Sequence, residues 1–229
     1  HAGMGYALYE EGRVAASIDQ FREALRIQPN NVRAHMGLGK ALESLGRLDD
    51  ALKHHRAAVK LRPHWAQAQT NLGIALTRKG LYKEAVSAHR EAVRLSPDAV
   101  DAQNDLGVAL ALADQSREAV RVFRQAIETD PDHVVTRLNL GRALAESGRL
   151  DEAMRHVAQA LAREPDLPEA HQAMADLLLK KGKWREGLKH LEAAAVLRPE
   201  DGEIRETIEK LKRESAEPVQ ASQGDASTA

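Results

Sequence analysis

Six of the eight prolines, Pro29, Pro63, Pro97, Pro131, Pro165 and Pro199, fall 34 residues apart. A strict period of that length makes the chain a register of repeated units. Each unit is one supersecondary element that buries its apolar face only by stacking on its neighbours. Other columns keep the spacing. Glycine holds one at Gly5, Gly39, Gly73, Gly107 and Gly141, giving way to Ala175. Leucine precedes it at Leu38, Leu72, Leu106 and Leu140, with Met174 last. A second leucine column is Leu8, Leu42, Leu76, Leu110, Leu144 and Leu178, and an alanine column is Ala24, Ala58, Ala92, Ala126, Ala160 and Ala194. A turn glycine recurs at Gly12, Gly46, Gly80, Gly148 and Gly182, replaced once by Asp114.

The pattern inside one unit is helical. Ala34, Leu38, Ala41, Leu42 and Leu45 recur at the spacing of one helix face. Gly46 ends that helix, because glycine tolerates the left-handed conformation of a helix C-terminus. A second helix follows over 48–61, with Ala51, Leu52, Ala58 and Leu61 inward, and Pro63 closes it. We call these helix A and helix B. The glycine and alanine columns carry no bulk where the two must approach closely. Aromatics make up only 3% of the 229 residues and hydrophobics 43%, thin for one large globular core but adequate for many Ala and Leu contacts.

These columns resemble the tetratricopeptide repeat (TPR) family over roughly residues 1–213. The resemblance implies an all-α, right-handed α-solenoid of six tandem helix-turn-helix units, residues 1–31, 32–65, 66–99, 100–133, 134–167 and 168–201. The sequence departs from the family in three columns. The tryptophan column holds His1, His35, Gln69, Gln103, Arg137 and His171. The tyrosine column is leucine throughout. The phenylalanine column reads Phe21, His55, His89, Phe123, Val157 and Leu191.

The ends differ from the middle. The chain starts at His1 inside helix A of the first unit, which reads as a fragment of a longer protein. Residues 202–214 predict a C-terminal capping helix, with Ile204, Ile208 and Leu211 on one face and charge on the rest. Residues 215–229 are polar and small, with a lone Val219, and are expected to stay disordered.

Little of the sequence points to reaction chemistry. There is no Cys, so disulfides, thiolate metal sites and a cysteine nucleophile are excluded. Lys+Arg number 33 against 34 Asp+Glu, so no global field draws the chain to nucleic acid, and no apolar run is long enough for membrane insertion. Gly37-Leu38-Gly39-Lys40 lacks the spacing and context of a phosphate loop; Gly39 is read as the packing glycine and Gly37 as facing the groove. His54 and His55 are neighbours on a helix, about 100° apart, and do not share a metal. His55 and His89 are read as core residues. Asp98, Asp132 and Asp166, each just after a proline, are expected to cap the next helix A. The reading is therefore non-catalytic, with no cofactor and no metal. Arg outnumbers Lys 22 to 11 and Ala is abundant, as in a GC-rich bacterial gene; a soluble domain is expected, cytoplasmic or periplasmic, with the compartment left open by the sequence.

In the resembled family helix A lines the concave inner wall. The residues placed on that wall as a peptide-binding groove are Tyr6, Tyr9, Arg33, Lys40, Asn71, Ile74, Arg78, Asn104, Asp105, Val108, Leu112, Leu138, Asn139 and Arg142. Ile74, Val108, Leu112, Val135 and Leu138 form an apolar strip that folding does not require, the mark of an interaction surface. Asn71 and Asn139 share a column with Asp105 between them. An amide both donates and accepts, so it can clamp a peptide backbone. This resembles, in part, the asparagine ladder of O-linked N-acetylglucosamine transferases. Arg33, Lys40 and Arg78 against Asp101 and Asp105 make a gradient able to orient a peptide. The types Arg33, Lys40 and Asn71 do not reproduce the carboxylate clamp that holds chaperone C-termini. The leading expectation is a protein–protein interaction scaffold that binds an extended peptide or partner helix. The alternatives are the recognition arm of a larger enzyme, such as a glycosyltransferase, and a scaffold that self-associates through its open N-terminal hairpin.

Overall fold

The structure is a computed structural model that describes residues 1–216. The chain forms two compact units, His1–Ala143 and the remainder from Leu144. The first holds α1 (Ala2–Glu10), α2 (Val14–Ile27), α3 (Val32–Ser44), α4 (Leu48–Leu61), α5 (Ala66–Arg78), α6 (Tyr82–Leu95), α7 (Val100–Leu112) and α8 (Ser116–Thr129). It also holds most of α9 (Val134–Glu146). The second holds α10 (Leu150–Arg163), α11 (Pro168–Lys180), α12 (Trp184–Leu197) and α13 (Gly202–Ala216). Among the described residues every regular element is helical. In the first unit the odd-numbered helices are A and the even-numbered helices are B. From α1 to α7, each B packs on its own A and on the A that follows.

The closest approach between A and B is a ring against a glycine. The Phe21 ring lies over Gly5, His55 over Gly39, His89 over Gly73 and Phe123 over Gly107. A Cβ added at Gly107 would stand 2.4 Å from the Phe123 ring. Where Leu191 replaces the ring, the opposing residue is Ala175, and the two share a core cluster with Ala194 and Ile204. Gly37 is not open to the groove as expected. It is buried, and its missing Cβ, which would stand 2.3 Å from the Phe21 ring, makes room for that side chain of the preceding repeat.

The residues in the tryptophan column do one job. His35 Nε2 bonds the Pro29 carbonyl at 3.0 Å, and Gln69 donates to Pro63 O at 3.3 Å. Gln103 donates to Pro97 O at 2.6 Å, Arg137 Nε to Pro131 O at 3.0 Å, and His171 Nε2 bonds Pro165 O at 2.8 Å. Each ties the turn between repeats back to helix A. Each such His must therefore carry its proton on Nε2, which leaves Nδ1 as an acceptor. His35 and His171 each meet a second imidazole there, His54 and His190, at an Nδ1–Nδ1 distance of 3.0 Å. Burial, then the neighbouring His35, pushes His54 down to about 4.

Several expectations are corrected. Asp98 and Asp166 do not cap helix A, because the capping position is one residue later, at Ala99 and Leu167, with no side-chain bond. Asp132 likewise stands one residue early. The residue before α9 is His133, whose Nδ1 accepts from the Thr136 N–H at 3.3 Å. At α3, Asn31 holds that position and accepts from Ala34 N–H at 3.0 Å. The C-terminal helix also runs past 214 to Ala216, since Ala is a good helix former. The rest of the expected disordered tail, 217–229, lies outside the described residues. Asp114 takes the turn-glycine place with φ of 60°, as its column predicts.

Gly107→Ala should destabilise the fold by about 1–3 kcal/mol through the clash with Phe123, measured by urea unfolding. An unchanged midpoint would refute the close packing. The buried His89 has its pKa pushed down to about 4 by burial, partly offset by a backbone hydrogen bond to Gly73. The folded state thus binds fewer protons than the unfolded one between about 4 and 6.5, so stability falls as pH drops through that window. His89→Phe, the residue that Phe123 supplies one repeat later, should move the acid-unfolding midpoint to lower pH in a circular-dichroism titration. No movement would mean that His89 carries none of the acid sensitivity.

Candidate functional site

All fourteen residues assigned to the groove lie in the first unit, on α1, α3, α5, α7 and α9. Because helix A turns one face to helix B and its flanks to neighbouring A helices, its remaining face is left over. The structure divides the fourteen into three groups.

Some are structural. Leu138 is only 5% exposed and is a core residue, which corrects its place on the apolar strip. It occupies the helix-A position that Met36 fills three repeats earlier, and Met36 packs between α4 and α5 with Ala58 and Ala68. Asn104 stands in the same column and is buried. Its Oδ1 accepts from Asn139 Nδ2 at 2.9 Å and from Thr136 Oγ1 at 3.3 Å. Tyr6 is half-buried, donates to the Arg33 carbonyl at 2.9 Å and sets its ring edge-on to Phe21. Burial raises its phenol above the usual range, with Arg33 pulling the other way.

Others are engaged in pairs. Arg78 donates to Glu43 Oε2 at 3.1 Å, and His55 Nε2 contacts the other Glu43 oxygen at 2.6 Å. Glu43 is buried, so this is a carboxylate held between two donors inside the unit. The sequence reading missed it. The signal was Glu43 as the one charge in a column otherwise filled by Tyr9, Thr77, Ala111, Ala145 and Leu179. Lys40 Nζ lies 5.9 Å from the Tyr9 ring centroid. Asn71 is buried, and its Oδ1 accepts from Gln67 at 3.0 Å. The ladder expected of Asn71 and Asn139 is thus partly engaged within the fold. With Arg78 paired and Asp101 turned to His133 Nε2 at 3.2 Å, the expected charge gradient shrinks.

The remaining residues present chemistry outward. Leu112, at the end of α7, is 44% exposed and Val135, at the start of α9, 53% exposed, while Ile74 and Val108, which share one register position, are half-buried. Arg33, Lys40 and Arg142 are exposed cations. Asp105 is half-buried, and burial, then repulsion from Asp101, pushes its carboxyl up to about 6. A cleft of about 530 Å³ beside Asn31, Arg33 and Leu61 also opens at the turn between repeats, where Arg62 lies 5.4 Å from the Trp65 ring centroid. The sequence reading did not single it out.

Stacked antiparallel helix pairs with one helix face left over define a helical-repeat scaffold of the protein–protein interaction type. Two tetratricopeptide-repeat models match the sequence, one over residues 3–66, 49–100 and 70–116, the other over 110–177 and 144–211. The chain belongs to the tetratricopeptide repeat family. No curated protein matches it. TTC0263, a thermophilic TPR protein of Thermus thermophilus, is 26% identical with a TM-score of 0.68, over 80% of this chain and 99% of that one. YrrB, a TPR protein with an unusual peptide-binding site, is 24% identical with a TM-score of 0.61, over 83% of this chain and 97% of YrrB. PilW, a type IV pilus biogenesis factor, is 16% identical and shares the fold with a TM-score of 0.82, over 90% of this chain and 96% of PilW. Among the described residues no helix is long and apolar enough to cross a membrane.

Asp105 retains its proton to about pH 6 when folded, against an ordinary 3.8. Between these values the folded chain binds more protons than the unfolded one. Stability therefore falls as pH rises through the window, and the penalty is complete above about 6. Asp105→Asn should melt about 2–4 °C higher than wild type at about pH 7.5 and no higher at about pH 4. An equal gain at both pH values would refute the titration.

Proposed function

We propose that the first unit binds an extended peptide along its helix-A face, from α5 across α7 to α9, with no chemistry performed on it. The observation that carries this reading is the exposure of Leu112 on α7 and Val135 on α9, with Val108 on α7 and Ile74 on α5 half-buried. Apolar side chains on a wall that the core does not use are explained by a ligand that covers them. The half-buried amide of Asn139 and the exposed cations Arg33, Lys40 and Arg142 supply polar contacts around them. YrrB, a TPR protein of similar fold, has a peptide-binding site of its own. In this reading the repeats are rigid positioning elements, and affinity comes from several modest contacts spread along the wall.

The test is selection of random twelve-residue peptides on immobilised protein. Wild type is compared with the double variant Val108→Gln plus Leu112→Gln. Glutamine is a good helix former, so the melting temperature should hold. Peptides selected by wild type should bind the variant at least about tenfold more weakly. Equal affinity for both proteins would move the binding function off this wall.

A further inference from the structure

Asp105 lies on α7 at the helix position that Asn71 holds on α5 and Asn139 on α9. Three features of its surroundings converge. Its carboxylate is half-buried, yet among the described residues no donor bonds it and no cation pairs with it. The charge that acts on it is Asp101, of the same sign, and Asp101 is itself occupied by His133 at 3.2 Å. On the neighbouring α5 the cation Arg78 is held by Glu43 at 3.1 Å. One turn along the same helix stands Val108, with Leu112 a turn beyond and Ile74 in the matching place on α5.

A carboxylate removed from water without a counter-charge works against folding. The neighbouring repeats show that the fold itself does not ask for one, since asparagine fills the position on both sides. An unanswered charge with an apolar stretch one turn along the helix is the complement of a long side chain with an apolar stem and a cationic head. A lysine or arginine lays its methylenes along such a surface and brings its head to the carboxylate.

We infer that Asp105 is the specificity-determining residue of this wall, selecting an extended peptide in which a lysine or arginine is flanked by apolar residues. The inference rests on the reading of the helix-A wall as a peptide site. The aspartate excludes an acidic residue at the same place by like-charge repulsion.

The experiment is the random twelve-residue peptide selection run in parallel on wild type, Asp105→Asn, Asp105→Lys and the Val108→Gln plus Leu112→Gln variant. The peptide pools are then sequenced. Wild-type pools should be enriched about tenfold in Lys or Arg at one position, with apolar residues beside it. Asp105→Asn should keep the apolar preference and lose the basic one. Asp105→Lys should turn the preference towards Asp or Glu, and the asparagine variant keeps the test decisive if the lysine variant does not fold. Basic enrichment equal in wild type and Asp105→Asn would overturn the inference, because the attraction would then arise elsewhere. Wild-type pools without a basic position that still depend on Val108 and Leu112 would overturn it while leaving the peptide wall standing. No selection by wild type above the glutamine double variant would overturn both.

Discussion

The rest of the structure depends on how closely helix A can approach helix B. That distance is set by a ring lying on a backbone with no side chain in between: Phe21 on Gly5, His55 on Gly39, His89 on Gly73 and Phe123 on Gly107. Packing of this kind is unforgiving, because a single methylene is felt in an interior as dense as a crystal. It also fits the one repeat in which both columns change. Where the ring becomes Leu191, the glycine becomes Ala175, and the volume lost on one helix is restored on the other. Repeats that share this contact share one interhelical spacing, so each presents its helix-A face in the same way.

A second constraint holds the repeats in register along the chain. The turn that follows helix B exposes a proline carbonyl, and a side chain six residues on donates to it. His, Gln and Arg all serve, because the requirement is one N–H at the right reach rather than one particular shape. The departure from tryptophan in this column is therefore conservative in hydrogen bonding although it is radical in volume. In two repeats the imidazole that serves also shares a proton with a second imidazole, His35 with His54 and His171 with His190. With Nε2 of His35 and of His171 committed to carbonyls, the partner ring, His54 or His190, is the one that donates through Nδ1.

The wall shows how little of a surface is available for binding once the fold has taken its share. Of the polar groups there, Arg78 answers Glu43 and Asp101 answers His133, while Asn104 gathers two donors from α9. What remains is sparse: Leu112 and Val135 in solvent, a few exposed cations, and Asp105 with no ion-pair partner among the described residues. That residue is one the fold would be more stable without. Uncompensated groups of this kind are where ligand recognition and stability pull in opposite directions.

The amino-acid sequence determined the repeat, the helix boundaries within a residue or two, the all-helical class and most of the packing residues, although Leu45 and Leu61, read as inward, are 52% and 36% exposed. A strict period forces every repeat to solve the same packing problem, so the columns write the answer again in each one. Its reading of the wall was less complete. Leu138 and Val135 look alike in a sequence, and so do Arg78 and Arg142. Whether a side chain at those positions ends in solvent, in the next helix or on a carboxylate 35 residues away depends on side-chain reach between stacked helices. The Asp98 and Asp166 caps failed by one residue for a related reason: the cap is set by where the turn delivers the backbone N–H groups, which composition does not encode. Only the tertiary structure decided that Glu43 is buried between His55 and Arg78 and that Asp105 is left unanswered, because pairing and desolvation are properties of three-dimensional neighbours and not of sequence columns.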